Sequence, residues 1–133
     1  LTEMNHDVRV VRMNATHLPS SVRNWMGDSI GWWEGDTLVV ETTNFTGKTR
    51  FRGSSEALTV TERFSRLDAK TLLYRFTVED PQTWSQPWTG EYTWPATDDL
   101  VFEYACHEAN YAMGNILRGA RQRERDAQLA PAR

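Results

Sequence analysis

The chain has 133 residues, of which 39% are hydrophobic and 25% charged, and its net charge is −3. This length holds one ordinary domain, and the composition is globular rather than disordered. No apolar run approaches the ~20 residues that span a bilayer, so no membrane span is expected.

The basic residues are scattered. Their one cluster, Arg118, Arg121, Arg123 and Arg125, alternates with Glu124 and Asp126 and reads as a solvated helix face, so nucleic acid is not an expected partner. The single cysteine, Cys106, excludes an internal disulfide and a Cys-rich zinc site. The chain opens at Leu1 without an initiator Met or a signal-like segment, as a processed, trimmed or partial polypeptide would.

In chain order, residues 6–13 read as a strand containing Val8, Val10 and Val11. Leu18-Pro19-Ser20-Ser21 resembles a helix start, followed by a short turn through Val22, Trp25 and Met26. Residues 29–33 are apolar and aromatic, Glu34-Gly35-Asp36 supplies a tight turn, and residues 37–45 continue as a strand, which together predict a hairpin with Gly35 at positive φ. Residues 46–57 are polar, contain Gly47 and Gly53, and read as a loop.

A second hairpin follows. Leu58, Val60 and Phe64 alternate with Thr59, Thr61 and Arg63; Asp68-Ala69-Lys70 turns the chain; Leu72, Tyr74, Phe76 and Val78 then share one face. Residues 81–87 break the pattern. Trp88, Tyr92 and Trp94 mark a further strand, and Leu100, Phe102, Tyr104 and Cys106 a last one.

From residue 108 the period becomes helical. Ala109, Ala112, Met113, Ile116, Leu117 and Ala120 form one stripe, and Gly114 and Gly119 make the helix dependent on packing. The expected architecture is one mainly β domain over residues 1–133. It is an antiparallel meander curled into a small, lipocalin-like barrel or half-barrel, with an amphipathic helix over residues 108–127 covering an open end or one apolar face. A two-sheet sandwich is the alternative.

Six tryptophans are many for this length. Trp32 and Trp33 are adjacent, and Trp84, Trp88 and Trp94 lie close together. They read either as volume in a small core or as the lining of a pocket for a sugar ring or planar ligand; periodicity does not separate the two.

Five stretches run over nearly the whole chain: Met4-Asn5-His6-Asp7-Val8-Arg9; Gly27-Asp28-Ser29 leading into Trp33-Glu34-Gly35-Asp36-Thr37-Leu38-Val39-Val40; Thr61-Glu62-Arg63-Phe64; Phe76-Thr77-Val78-Glu79-Asp80-Pro81; and Glu103-Tyr104-Ala105-Cys106-His107-Glu108-Ala109-Asn110-Tyr111. They resemble the C-terminal segment of an uncharacterised bacterial family from soil and environmental genomes. The resemblance implies that these stretches are family signatures and that the parent protein is exported, to the periplasm or beyond. It supplies no mechanism.

Polar residues on otherwise apolar strand faces are the candidates for chemistry. Glu62 shares a face with Leu58, Val60 and Phe64. A carboxylate there must be paired, hydrogen-bonded or protonated, as a general acid would be; the structural alternative is an ion pair with Arg63 or Arg75. Glu103 and His107 share a face of the last strand, and His107 and Glu108 stand where strand becomes helix, a place that often lines a pocket mouth. His6 shares its face with Met4, Val8 and Val10.

No metal or cofactor is expected. There is no HExxH and no paired-histidine spacing, and a metal site would have to assemble His6 and His107 across strands. His17 is the third histidine. Cys106 reads as an inert buried thiol. No nucleophile elbow and no phosphate-binding glycine motif is present.

The favoured expectation is a small hydrolase of glycosides or esters. His107, Glu103 and Glu62 would do its acid–base work, and Trp33, Trp88, Trp94, His6 and Glu108 would bind substrate in a pocket near the end of the last strand. The alternatives are a non-catalytic barrel holding an apolar or sugar ligand, and a structural module whose tryptophans and helix form a homodimer interface.

Overall fold

In the computed structural model, residues 7–48, 51–100, 104 and 111–129 are described. The chain divides into two units, Leu1–Leu100 and Val101–Arg133. The first is a single sheet of six strands in the order β1 (Val11–Met13), β2 (Asp28–Glu34), β3 (Thr37–Thr43), β4 (Thr59–Asp68), β5 (Thr71–Glu79) and β6 (Trp88–Pro95). The second contains α1 (Ala112–Leu129).

The protein is therefore mainly β with one C-terminal helix, as the alternation predicts. The sheet is open: β1 and β6 are its ends, which matches a half-barrel and not a closed barrel. It is also mixed rather than wholly antiparallel, because β1 pairs parallel with β2 while β2 to β6 form an antiparallel meander. A parallel neighbour needs a long return, and residues 14–27 supply it.

That return contains no helix, contrary to the reading of Leu18–Ser21. Its backbone groups are spent on tertiary partners. Leu18 N–H donates to Asp28 Oδ2 at 2.9 Å, and Asn44 Nδ2 donates to the carbonyls of Leu18 and Pro19. Of the expected strand over residues 6–13 only Val11–Met13 is strand; His6 lies outside the described residues. The last expected strand, residues 100–106, lies outside them too except for Leu100 and Tyr104.

The first hairpin is as expected. Glu34 pairs with Thr37 across a two-residue turn, and Gly35 has φ +59°. Positive φ at the first central residue alone is the type II′ pattern, which suits the strand twist. A Cβ at Gly35 would meet nothing within 4 Å, so any cost of a side chain there comes from the backbone. Gly35→Val should lower stability by about 1–2 kcal/mol. A thermal melt unchanged from the parent would refute the turn assignment.

Period two carries the sequence pattern across the sheet. The even positions of β3 to β6 and the odd positions of β2 share one face: Trp33, Leu38, Phe64, Tyr74 and Tyr92 fall in one cross-strand row, and Gly31, Val40, Glu62, Phe76 and Gly90 in the next. A Cβ on Gly90 would lie 2.4 Å from Phe76 Cζ, so the Phe76 ring occupies the space above the Gly90 backbone. The opposite face carries the ion pairs Arg63–Glu34 and Arg75–Glu91 and the Thr77–Thr89 hydroxyl contact.

The interior is thin. Among the described residues the buried apolar side chains are Val39, Val40, Leu58 and Val78, against seven buried polar or charged ones: Asp28, Ser29, Thr42, Asn44, Ser54, Glu62 and Asp80. Polar cross-links and ring stacking therefore hold much of this sheet. In α1 the described side chains are exposed, including Met113, Ile116 and Leu117 of the apolar stripe.

Candidate ligand-binding site

The aromatic face carries an open pocket of about 720 Å³. Its floor comes from β4 and β5, where Val60, Tyr74, Phe76 and Val78 project at period two. Trp88 and Tyr92 of β6 form one wall. Trp84, from the turn after β5, meets Trp88 edge to face at 6.0 Å and 89°. Phe76 meets Trp88 edge to face at 5.7 Å and lies nearly parallel to Tyr92 at 6.1 Å.

The remaining wall is the loop from β3 to β4. Ser54 N–H donates to the Phe51 carbonyl, and Phe51 N–H donates to Ser54 Oγ, both at 2.9 Å. Arg52 and Gly53 between them have φ +50° and +84°, the signature of a type I′ turn. This tight turn stacks Phe51 on Trp88 at 5.9 Å and sets Arg52 at the pocket rim.

Asp80 joins the loop to the strand. Its carboxylate is 1% exposed and accepts from Ser55 N–H, Ser55 Oγ, Gln82 N–H and Thr83 Oγ1. Its backbone carbonyl accepts from Trp84 N–H at 2.8 Å. Burial alone would raise the Asp80 carboxyl; the Ser55, Thr83 and Gln82 donors outweigh it and hold it below the usual carboxylate range.

Asp28 plays a similar part at the other end. Arg12, His17 Nδ1 and Leu18 N–H surround it. Burial opposes ionisation there too, but the Leu18, His17 and Arg12 contacts overcome it and lower the carboxyl. His17 Nε2 lies 3.1 Å from Glu41 Oε1, and both ring nitrogens can donate to their carboxylates at once only as imidazolium.

Glu62 is buried at 6% exposure, on the expected face. Tyr74 Oη donates to its Oε1 at 2.9 Å, and Arg9 Nη1 donates to its Oε2. Burial raises the Tyr74 hydroxyl first, and the Glu62 charge raises it further. The partner of Glu62 is thus neither Arg63 nor Arg75, which alternation sends to the opposite face and which pair there with Glu34 and Glu91.

Three tryptophans were expected to line one pocket. Trp88 lines this one. Trp94 instead stacks on Tyr74 at 4.7 Å and 20°. Trp33, 61% exposed, lines a separate hollow beside the first hairpin with Leu38, Phe64 and Leu72. His6, Glu103, His107, Glu108 and Cys106 lie outside the described residues, as does the expected pocket at the end of the last strand. Among the described residues no group of three His, Cys, Asp or Glu side chains is arranged to hold a metal ion, and no helix is long and apolar enough to cross a membrane.

Sequence reading missed Phe51, Arg52 and Asp80; Trp84 was noted only as one of a tryptophan cluster that could line a pocket. A signal was present for Phe51, a large ring in a segment otherwise read as polar loop, where apolar bulk has no reason to be unless it packs on something. Comparison with protein families, curated proteins and solved structures finds no match to the chain.

Proposed function

We propose that the protein is a binding module that holds a small apolar or sugar ligand against the aromatic cup formed by β4 to β6 and the loop turn at residues 51–54. The observation that carries this reading is the cup itself. Rings from four segments, among them Phe51, Phe76, Trp84, Trp88 and Tyr92, line a hollow of ligand size, about 720 Å³. Tyr92 is 58% exposed, and exposed aromatic patches of this kind mark contact sites.

Binding is favoured over hydrolysis by the state of Glu62. It is the one residue of the proposed catalytic trio within the described part of the chain, and its carboxylate is buried and turned toward Arg9 and Tyr74, one donor on each oxygen. A general acid or base must reach the substrate.

Titration calorimetry of the whole chain against a panel of apolar ring compounds and oligosaccharides tests the reading. At least one class should bind saturably, and Trp88→Ala should weaken that binding roughly tenfold or more by removing a stacking wall, with Trp88→Phe restoring part of it. A panel without any binder would sink the proposal. Release of chromophore from an ester or glycoside, lost in Glu62→Gln, would replace it with the hydrolase reading.

A further inference from the structure

We infer that the ligand of the cup is an acid: an apolar or aromatic body bearing a carboxylate that Arg52 recognises. This rests on the cup being a binding site.

The first support is the charge of the lining. Among the described residues that line the pocket, Arg52 is the one charged side chain. Among the described residues it makes no ion pair; its guanidinium carbon lies 5.9 Å from the centre of the Phe51 ring. The nearby carboxylates are committed elsewhere, Glu56 to Arg23 and Asp80 to Ser55 and Thr83. Arg52 is exposed at the rim, and its planar fork of donors matches a carboxylate bidentately.

The second is the inventory of hydrogen-bonding groups. The Tyr74 hydroxyl is spent on Glu62. What remains on the lining side chains is weighted to donors: the guanidinium and the indole N–H groups of Trp84 and Trp88, with the Tyr92 hydroxyl able to act either way. Among the described residues no carboxylate or amide side chain lines the pocket. A sugar brings hydroxyl donors that seek such acceptors, whereas a carboxylate brings acceptors alone. This separates an apolar acid from a neutral sugar.

The third is backbone strain. Arg52 sits at φ +50°, a region in which a side chain such as Arg costs about 1 kcal/mol and Gly or Asn little. The strained turn is closed by Ser54 on both sides, which fixes where the guanidinium begins.

Titration calorimetry with 2-naphthoate and the neutral 2-naphthylmethanol, on the parent, Arg52→Gln and Trp88→Ala, tests the inference. Naphthoate should bind about tenfold or more tightly than the alcohol, the worth of a charge-assisted contact. Arg52→Gln should remove that difference while leaving the alcohol within about twofold, and Trp88→Ala should weaken both. Equal affinities in the parent, or an equal loss of both in Arg52→Gln, would overturn the acid preference and leave the cup standing as a neutral site. Naphthoate binding untouched by Trp88→Ala would place the anion elsewhere and overturn it as well. If neither probe binds, the acid preference fails, and the oligosaccharides of the wider panel decide the cup reading separately.

Discussion

Asp80→Ala should cost about 3 kcal/mol of stability, roughly 10 °C in Tm for a domain of this size, and should abolish ligand binding at the cup. The side chain is 1% exposed and serves donors from two segments, Ser55 on the loop and Gln82 and Thr83 on the turn after β5. Removing it strands those donors and frees the two segments that bring Phe51, Arg52 and Trp84 to the pocket. Asp80→Asn should fall between, since an amide oxygen accepts but its NH₂ faces donors.

The pH dependence has a definite sign. The folded Asp80 carboxyl is lowered, so its contribution is complete above the unfolded value near 3.9 and is lost as pH falls from there through the folded one. The Tm gap between parent and Asp80→Asn should therefore be constant from about pH 7 to 5 and shrink below about pH 4. A gap that stays constant down to pH 3 would show that the charge is not what the donors hold.

Glu62→Ala should cost about 2–3 kcal/mol, with a smaller loss for Glu62→Gln. Breaking a buried ion pair leaves the partner uncompensated, typically at about 3–5 kcal/mol, and the figure is reduced here because Arg9 can turn to water. Arg9 is 30% exposed in its side chain against 8% for Glu62. A double-mutant cycle with Arg9→Ala should give a coupling of about 1–2 kcal/mol, and Tyr74→Phe alone should cost about 1 kcal/mol. Additive losses in the cycle would show that the two side chains do not act as a pair.

The strands were legible because their signal is local. Leu72, Tyr74, Phe76 and Val78 alternate without interruption, and the structure places all four on one face. Gly35 between two strand-like runs likewise had one reading. The parallel entry of β1 was not legible, because it depends on Asp28 capturing Leu18 N–H and the His17 ring across a segment with helix-start residues. The burial of Glu62 followed from alternation, but its partner did not: Arg9 is far away in sequence, whereas Arg63 and Arg75 are close by. The cup was half legible. Trp84 and Trp88 stood out by composition, but Phe51 and Arg52 reach the pocket through a loop turn held by Ser54 and, through Ser55, by Asp80.

Several of the stretches singled out in the sequence also acquire a physical role. Gly27 has φ +69°, and a Cβ there would lie 2.6 Å from the Thr43 carbonyl oxygen. Asp28 anchors the return loop, and Ser29 Oγ lies 2.8 Å from Thr42 Oγ1. Arg9 of the first stretch meets Glu62 of the third, and Arg63 of the third meets Glu34 of the second. Most of these residues are cross-links between neighbouring segments of the sheet, a structural role that assigns none of them to catalysis.

The link between β3 and β4 runs through residues 44–58 and is too long for turn geometry to dictate how the two strands align. Because side chains alternate with period two, sliding β4 by two residues would keep every side chain on its proper side and set Glu62 opposite Leu38 or Thr42 instead of Val40. Hydrophobic contact alone barely distinguishes these alignments. The two ion pairs do: Glu62 meets Arg9 on one face and Arg63 meets Glu34 on the other at the observed offset. A slipped β4 would carry Glu62 away from Arg9 and leave its buried charge with the Tyr74 hydroxyl alone, so Glu62 serves as a key that admits one alignment and rejects its neighbours.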